Sequence, residues 1–161
     1  MRGHGRLRVT QGDHVVARAL ARLLRLPQPG EAVETHLVVT PCAGGERWAR
    51  TFGGQPFNSR QYRTADGVAE RFGLVELRFR CDSNGNVTQF RQTGAALIVG
   101  PLRVPLPRSC APAVTAREDR PTPHTRHIDA RITLPIVGLL LAYSGAIETD
   151  DGHDRGERVT A

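Results

Sequence analysis

Six histidines (His4, His14, His36, His124, His127, His153), three cysteines (Cys42, Cys81, Cys110) and four serines (Ser59, Ser83, Ser109, Ser144) could carry metal or nucleophilic chemistry. Their spacing supports neither. A zinc-binding helix needs two histidines one turn apart with an acid beside them, and no HExxH or comparable pattern occurs. His124 and His127 fall three residues apart in a predicted strand, which points them to opposite faces. No serine sits in a nucleophile elbow, and no cysteine has a recognisable activating partner. The sequence therefore supplies no catalytic residue, no metal site and no cofactor, and the reading leans away from an enzyme.

A different chemistry is suggested by residues 44 to 63, "GGERWARTFGGQPFNSRQYR", where arginines are interleaved with aromatic rings. Base stacking on a cationic groove would need rings and charges on one exposed face. Period-two alternation instead puts Trp48 and Phe52 on the same face with Arg50 between them, the pattern of a hairpin with one dry side. Acids at Glu46, Asp66, Glu70 and Glu76 dilute any basic stripe, which argues against nucleic acid as a partner. Two more charges fall on otherwise apolar faces: Glu118 in phase with Val114 and Ala116, and Arg126 in phase with Ile128. A charge that points inward must be paired, neutralised or wet. Trp48, Arg50, Phe52, Glu118 and Arg126 thus form the candidate ligand-binding set, a cup whose charges hold the head of an amphipathic molecule.

The elements that must position these residues are mostly strands. "HVVARALARLLRLP" predicts one amphipathic helix near 14–26, capped by Asp13 and stopped by Pro27, with Val16, Ala19, Leu20 and Leu23 on its dry face. Arg18, Arg22 and Arg25 follow on another. After "PQPG", alternation of period two takes over: "LVELRFRC" at 74–81 sets Val75, Leu77, Phe79 and Cys81 against Glu76, Arg78 and Arg80. "SNGN" at 83–86 holds an Asn-Gly pair, which favours a two-residue loop with two positive φ angles. The strand that follows, "VTQFRQTGAALIV", contains Gly94 as a bulge signal. Further strands are expected near 33–40, 55–63, 68–72, 112–119, 124–134 and 138–148. Four prolines between 101 and 112 exclude that segment from the centre of a sheet and make it an edge, lid or crossing segment. Many short strands without intervening helices predict a mainly β antiparallel meander, closing into a barrel or strongly curved sheet.

The chain has 161 residues, enough for one domain with its own core, here assigned to 1–148 with a disordered tail over 149–161. The net charge is +6, carried entirely by arginine, and +5 of it lies in residues 1–30. The odd cysteine count fits no disulfide framework, so a reducing, cytoplasmic setting is expected. The longest apolar run, Ile132 to Tyr143, is too short for a membrane-spanning helix and is broken by Pro135 and Gly138. Arginines 18, 22 and 25 interrupt what would be the apolar core of a signal peptide.

Taken together, "GERWARTFGGQPFNSR", "ERFGLVELRF", "PLRVPLPRSCAPAVTARE" and "ITLPIVGLLLAYSGAIE" resemble the bacterial domain of unknown function DUF4166 over roughly residues 5–148. The resemblance implies a domain found alone or fused to a saccharopine-dehydrogenase-like, nicotinamide-binding domain. It transfers no catalytic residues. The chain has no G-x-G-x-x-G element, so the fused oxidoreductase is not expected within it. The expected function is non-catalytic binding of an apolar or amphipathic, lipid-like small molecule in a β cup. The alternative is an accessory domain docking on an oxidoreductase partner or a membrane surface through the basic amino-terminal helix.

Overall fold

Inward-pointing side chains every second residue give each strand one dry face, and ten such strands closing on one another leave no unpaired edge. The computed structural model, which describes residues 1–150, contains twelve strands and one helix. They are β1 (Arg2–Gln11), α1 (Val15–Leu23), β2 (Gly30–Cys42), β3 (Gly45–Phe52), β4 (Gln55–Pro56), β5 (Ser59–Thr64), β6 (Gly67–Phe72), β7 (Val75–Asn84), β8 (Val87–Val99), β9 (Leu102–Pro105), β10 (Ala113–Thr122), β11 (Thr125–Leu134) and β12 (Gly138–Asp150). All pairings are antiparallel, in the order β10-β11-β12-β1-β2-β3-β5-β6-β7-β8, and β8 pairs with β10 to close the ring. The result is a closed ten-stranded barrel, with strand making up 70% of the structure. The short strands β4 and β9 hang off β3 and β8, outside the ring. The proline-rich segment therefore does lie at an edge.

Two seams set the barrel's shape. Between β1 and β12, Gly5 faces Ile147 and Leu7 faces Gly145, so each large side chain lies opposite a residue that has none. A Cβ on Gly5 would collide with the carbonyl oxygen of Ala146, and Gly145 adopts φ 148 against Leu7. In β8 the register shifts opposite Arg78 and Phe79, where Gly94 stands. This bulge reverses the parity of the strand, so that Phe90 before it and Ala95 after it both reach the core.

Antiparallel connections alternate between the two ends of the barrel. One end, called the helix end, carries α1 and the connections 53–58, 73–74, 100–112 and 135–137; the far end carries the turns 43–44, 65–66, 85–86 and 123–124. Leu7, Val9, Phe52 and Leu141 form the core beneath α1, where Ala17 and Ala21 are buried. Gln55 ties the β3–β4 hairpin to the chain after the helix by donating to the Arg25 and Leu26 carbonyls at 2.7 and 3.0 Å. Leu106 and Ala111 pack on Leu77, Phe79 and Ala95, so segment 106–111 closes part of the same end.

Several local expectations need correction. The helix is Val15–Leu23, and His14 rather than Asp13 caps it, its Nδ1 accepting from the Val16 N–H at 3.2 Å. Its fully buried residues are Ala17 and Ala21, and of the expected dry face only Leu20 packs partly buried against the core: small side chains let the helix lie close on the strands, and Val16, Ala19 and Leu23 stay exposed. β1 has no counterpart among the expected strands. The 83–86 loop is Gly85–Asn86, since Asn84 pairs with Val87, and of the two only Gly85 has positive φ. Segment 55–63 divides into β4 and β5 at Phe57, whose N–H returns to the Arg50 carbonyl at 2.8 Å. β12 runs on to Asp150, and the rest of the expected tail lies outside the described residues.

Candidate functional site

β3 turns Trp48, Arg50 and Phe52 into the barrel, where they line a cavity of about 100 Å³. Its remaining wall is mostly apolar and aromatic, with Leu7, Phe57, Phe72, Phe90 and Ile132 contributed by five further parts of the chain. The rings pack on one another: Phe57 stacks on Phe72 at 5.1 Å, and Phe52 tilts against Tyr143 at 5.3 Å.

Arg50 is the polar centre of this wall. Its Nη1 donates to Ser59 Oγ and its Nη2 to Glu70 Oε1, both at 2.9 Å. Ser59 in turn donates to the same carboxylate oxygen at 2.6 Å. The three meet because Trp48 pairs with Ser59 across β3 and β5, and β6 then brings Glu70 alongside. Arg50 and Glu70 side chains are only 11% and 13% exposed. The guanidinium also stands over the Trp48 ring, 4.9 Å from its centroid, and lies 5.9 Å from that of Phe72. Burial works against the arginine's charge, but the Glu70 carboxylate and the neighbouring Tyr143 oxygen outweigh it and hold the pKa above its ordinary value.

Tyr143 enters from β12, three strands from β3 around the ring. Burial pushes its phenol upward, so the hydroxyl stays protonated at neutral pH. Among the described residues it has no hydrogen-bond partner, although it lines the cavity. It is a donor and acceptor without an assigned use.

Glu118, on β10, also lines the cavity. It accepts from Arg126 Nη1 at 2.6 Å and from Arg120 Nε at 2.7 Å. Arg126 is 15% exposed, does not itself line the cavity, and serves Glu118 from the next strand; its Nε is buried without a partner among the described residues. The predicted set thus divides. Trp48, Arg50, Phe52 and Glu118 share one cavity, while Arg126 reaches it only through a carboxylate.

Sequence reasoning missed Glu70, Ser59 and Tyr143. Glu70 was legible, since it falls in phase with Val68 and Phe72, but Ser59 and Tyr143 carry no such contrast. A third charged cluster lies on the outer wall, where Glu76 accepts from Arg78 Nε at 3.0 Å, from Arg103 Nε at 2.9 Å and from the Tyr62 hydroxyl. Burial alone would raise the Glu76 carboxyl, but these three donors hold it below its ordinary value. Burial raises the Cys81 thiol, which keeps it protonated and poorly nucleophilic. Among the described residues no three His, Cys, Asp or Glu side chains converge as a metal site would require. No helix there is long and apolar enough to cross a membrane.

A family model described as "Domain of unknown function (DUF4166)" matches residues 1–147, and the chain belongs to that family. No curated protein and no solved structure matches it.

Proposed function

We propose that this DUF4166 barrel binds a small apolar molecule carrying one polar or anionic head, without transforming it. The observation that carries the reading is an aromatic-walled cavity with a buried arginine whose bonds leave donors over. The two Arg50 bonds to protein use one N–H on each terminal nitrogen, so three of the five guanidinium donors remain for a guest. The Tyr143 hydroxyl adds a second anchor from β12, beside Phe52. An apolar cavity of about 150 Å³ is known to admit benzene. The cavity here, at about 100 Å³, is smaller, so one ring would enter with modest displacement of wall side chains and a long acyl chain only with extensive displacement. The free thiols of Cys42, Cys81 and Cys110 support a reducing, cytoplasmic setting for this activity.

Trp48 is the sole tryptophan and lines the cavity, so its emission reports occupancy. Toluene and benzoate present the same ring without and with a head. Both should shift the fluorescence saturably. Tyr143→Phe removes one hydroxyl and keeps the packing; it should weaken benzoate by about two- to tenfold, the range of one neutral hydrogen bond, and leave toluene unchanged. Arg50→Ala should discriminate in the same direction. Failure of both probes to produce a saturable change in the folded protein would overturn the reading.

A further inference from the structure

Ten large apolar side chains stand exposed among the described residues, and nine of them lie at the helix end of the barrel; the exception is Val38. They do not form one patch. Val15 and Leu23 sit on the outward side of α1, Leu74 in the β6–β7 turn, Val99 and Leu102 where β8 passes into β9, and Ile136 at the tip of the β11–β12 turn. These are separate points around one rim. Ile136 is fully exposed, and as a β-branched residue at φ 67 it occupies a backbone conformation that disfavours it. A turn tip selected for stability alone would carry glycine or asparagine there.

The connections at the helix end are also strongly basic. They hold five arginines, Arg18, Arg22, Arg25, Arg103 and Arg108, of which Arg103 is paired with Glu76, against one acid, Asp13. The far-end turns hold one acid, Asp66, and no arginine. On α1 the outward Val15, Ala19 and Leu23 are flanked by Arg18 and Arg22, and neither arginine nor the following Arg25 makes an ion pair among the described residues. Apolar tips beside unpaired cations match an interface with an apolar interior and a negatively charged surface. A folded protein partner would have to be complementary to scattered protrusions around a ring, whereas lipid head groups part around each one.

We propose that the helix end of the barrel docks on an anionic membrane surface, its apolar tips entering the interface and its arginines facing the head groups. The proposal uses residues outside the cavity and does not rest on ligand binding. The test is sedimentation of the full chain with phosphatidylcholine vesicles, with and without phosphatidylserine. Binding to the anionic vesicles alone, weakening as salt is raised toward 1 M, is expected. Arg18→Gln/Arg22→Gln/Arg25→Gln should lower the affinity by about a hundredfold, at roughly fivefold per arginine. Ile136→Asn should weaken binding with no loss of melting temperature, and it carries the test by itself if the triple variant misfolds. Absence of binding, equal binding to both vesicle types, or an unaffected arginine variant would overturn the proposal. Self-association abolished by Ile136→Asn, in the absence of vesicle binding, would also overturn it and assign the rim to a second copy of the chain.

Discussion

Removing either partner of the Arg50–Glu70 pair should destabilise the barrel far more than removing both. The two charges are nearly buried, 2.9 Å apart at their closest atoms, and share Ser59. With charge centres about 4 Å apart and an effective dielectric constant of about 20, their attraction is ~4 kcal/mol. Deleting one partner strands the other in an aromatic wall, and such deletions cost about 3–5 kcal/mol. Replacing both by methionine removes the stranded charge and retains much of the volume, so the double variant should lose only about 1–2 kcal/mol. Arg50→Met, Glu70→Met and the double variant complete the cycle, and these losses imply a coupling of at least about 4 kcal/mol. Urea unfolding, followed by circular dichroism and by Trp48 emission, measures each corner. For a chain of this length a single variant should melt about 10 °C lower than the parent. Additive effects of the two substitutions, or single losses below about 1 kcal/mol, would refute the argument and show that solvent screens the pair.

The Glu76 carboxyl, held below its ordinary value near 4.5, contributes stability above that value that is lost as the pH falls through the folded one. Glu76→Gln should therefore lower the melting temperature at pH 7 by several degrees and flatten the acid limb of the stability profile below about pH 4.5, measured by thermal melts across pH. An unchanged acid limb would remove Glu76 as its source. At the β1–β12 seam, Gly5→Ala drives a Cβ into the Ala146 carbonyl; a loss of about 1–3 kcal/mol in urea unfolding is expected, against almost none for Gly94→Ala, where the added carbon meets open space.

How far the site could be read from the chain depends on whether a feature belongs to one strand or to several. Phase within a strand is local, because side chains alternate whatever the neighbour. The inward direction of Trp48, Arg50, Phe52 and Glu118 was therefore legible from spacing, as was the mainly antiparallel β architecture. β1 escaped because two of its inward positions are Gly3 and Gly5, leaving only Leu7 and Val9 to mark a dry face. The same absence of side chains that hides the strand lets β12 approach it. The helix misled for a related reason. The wheel ranks leucine above alanine, but close packing on strands selects Ala17 and Ala21, while Leu20 is only partly buried and Leu23 is left outside. Which side chains meet in the cavity depends on partners across strands: Ser59 and Glu70 reach Arg50 from 9 and 20 positions along the chain, and Tyr143 arrives from β12 by way of β1 and β2. Register and closure decide those meetings, and neither leaves a periodic mark. An inward charge in a strand can thus be found from sequence as a demand for a partner, while the identity of that partner waits on the fold. At Arg50 the fold supplies Glu70 and Ser59 and still leaves guanidinium donors without a protein partner, and the proposed binding reading rests on that surplus.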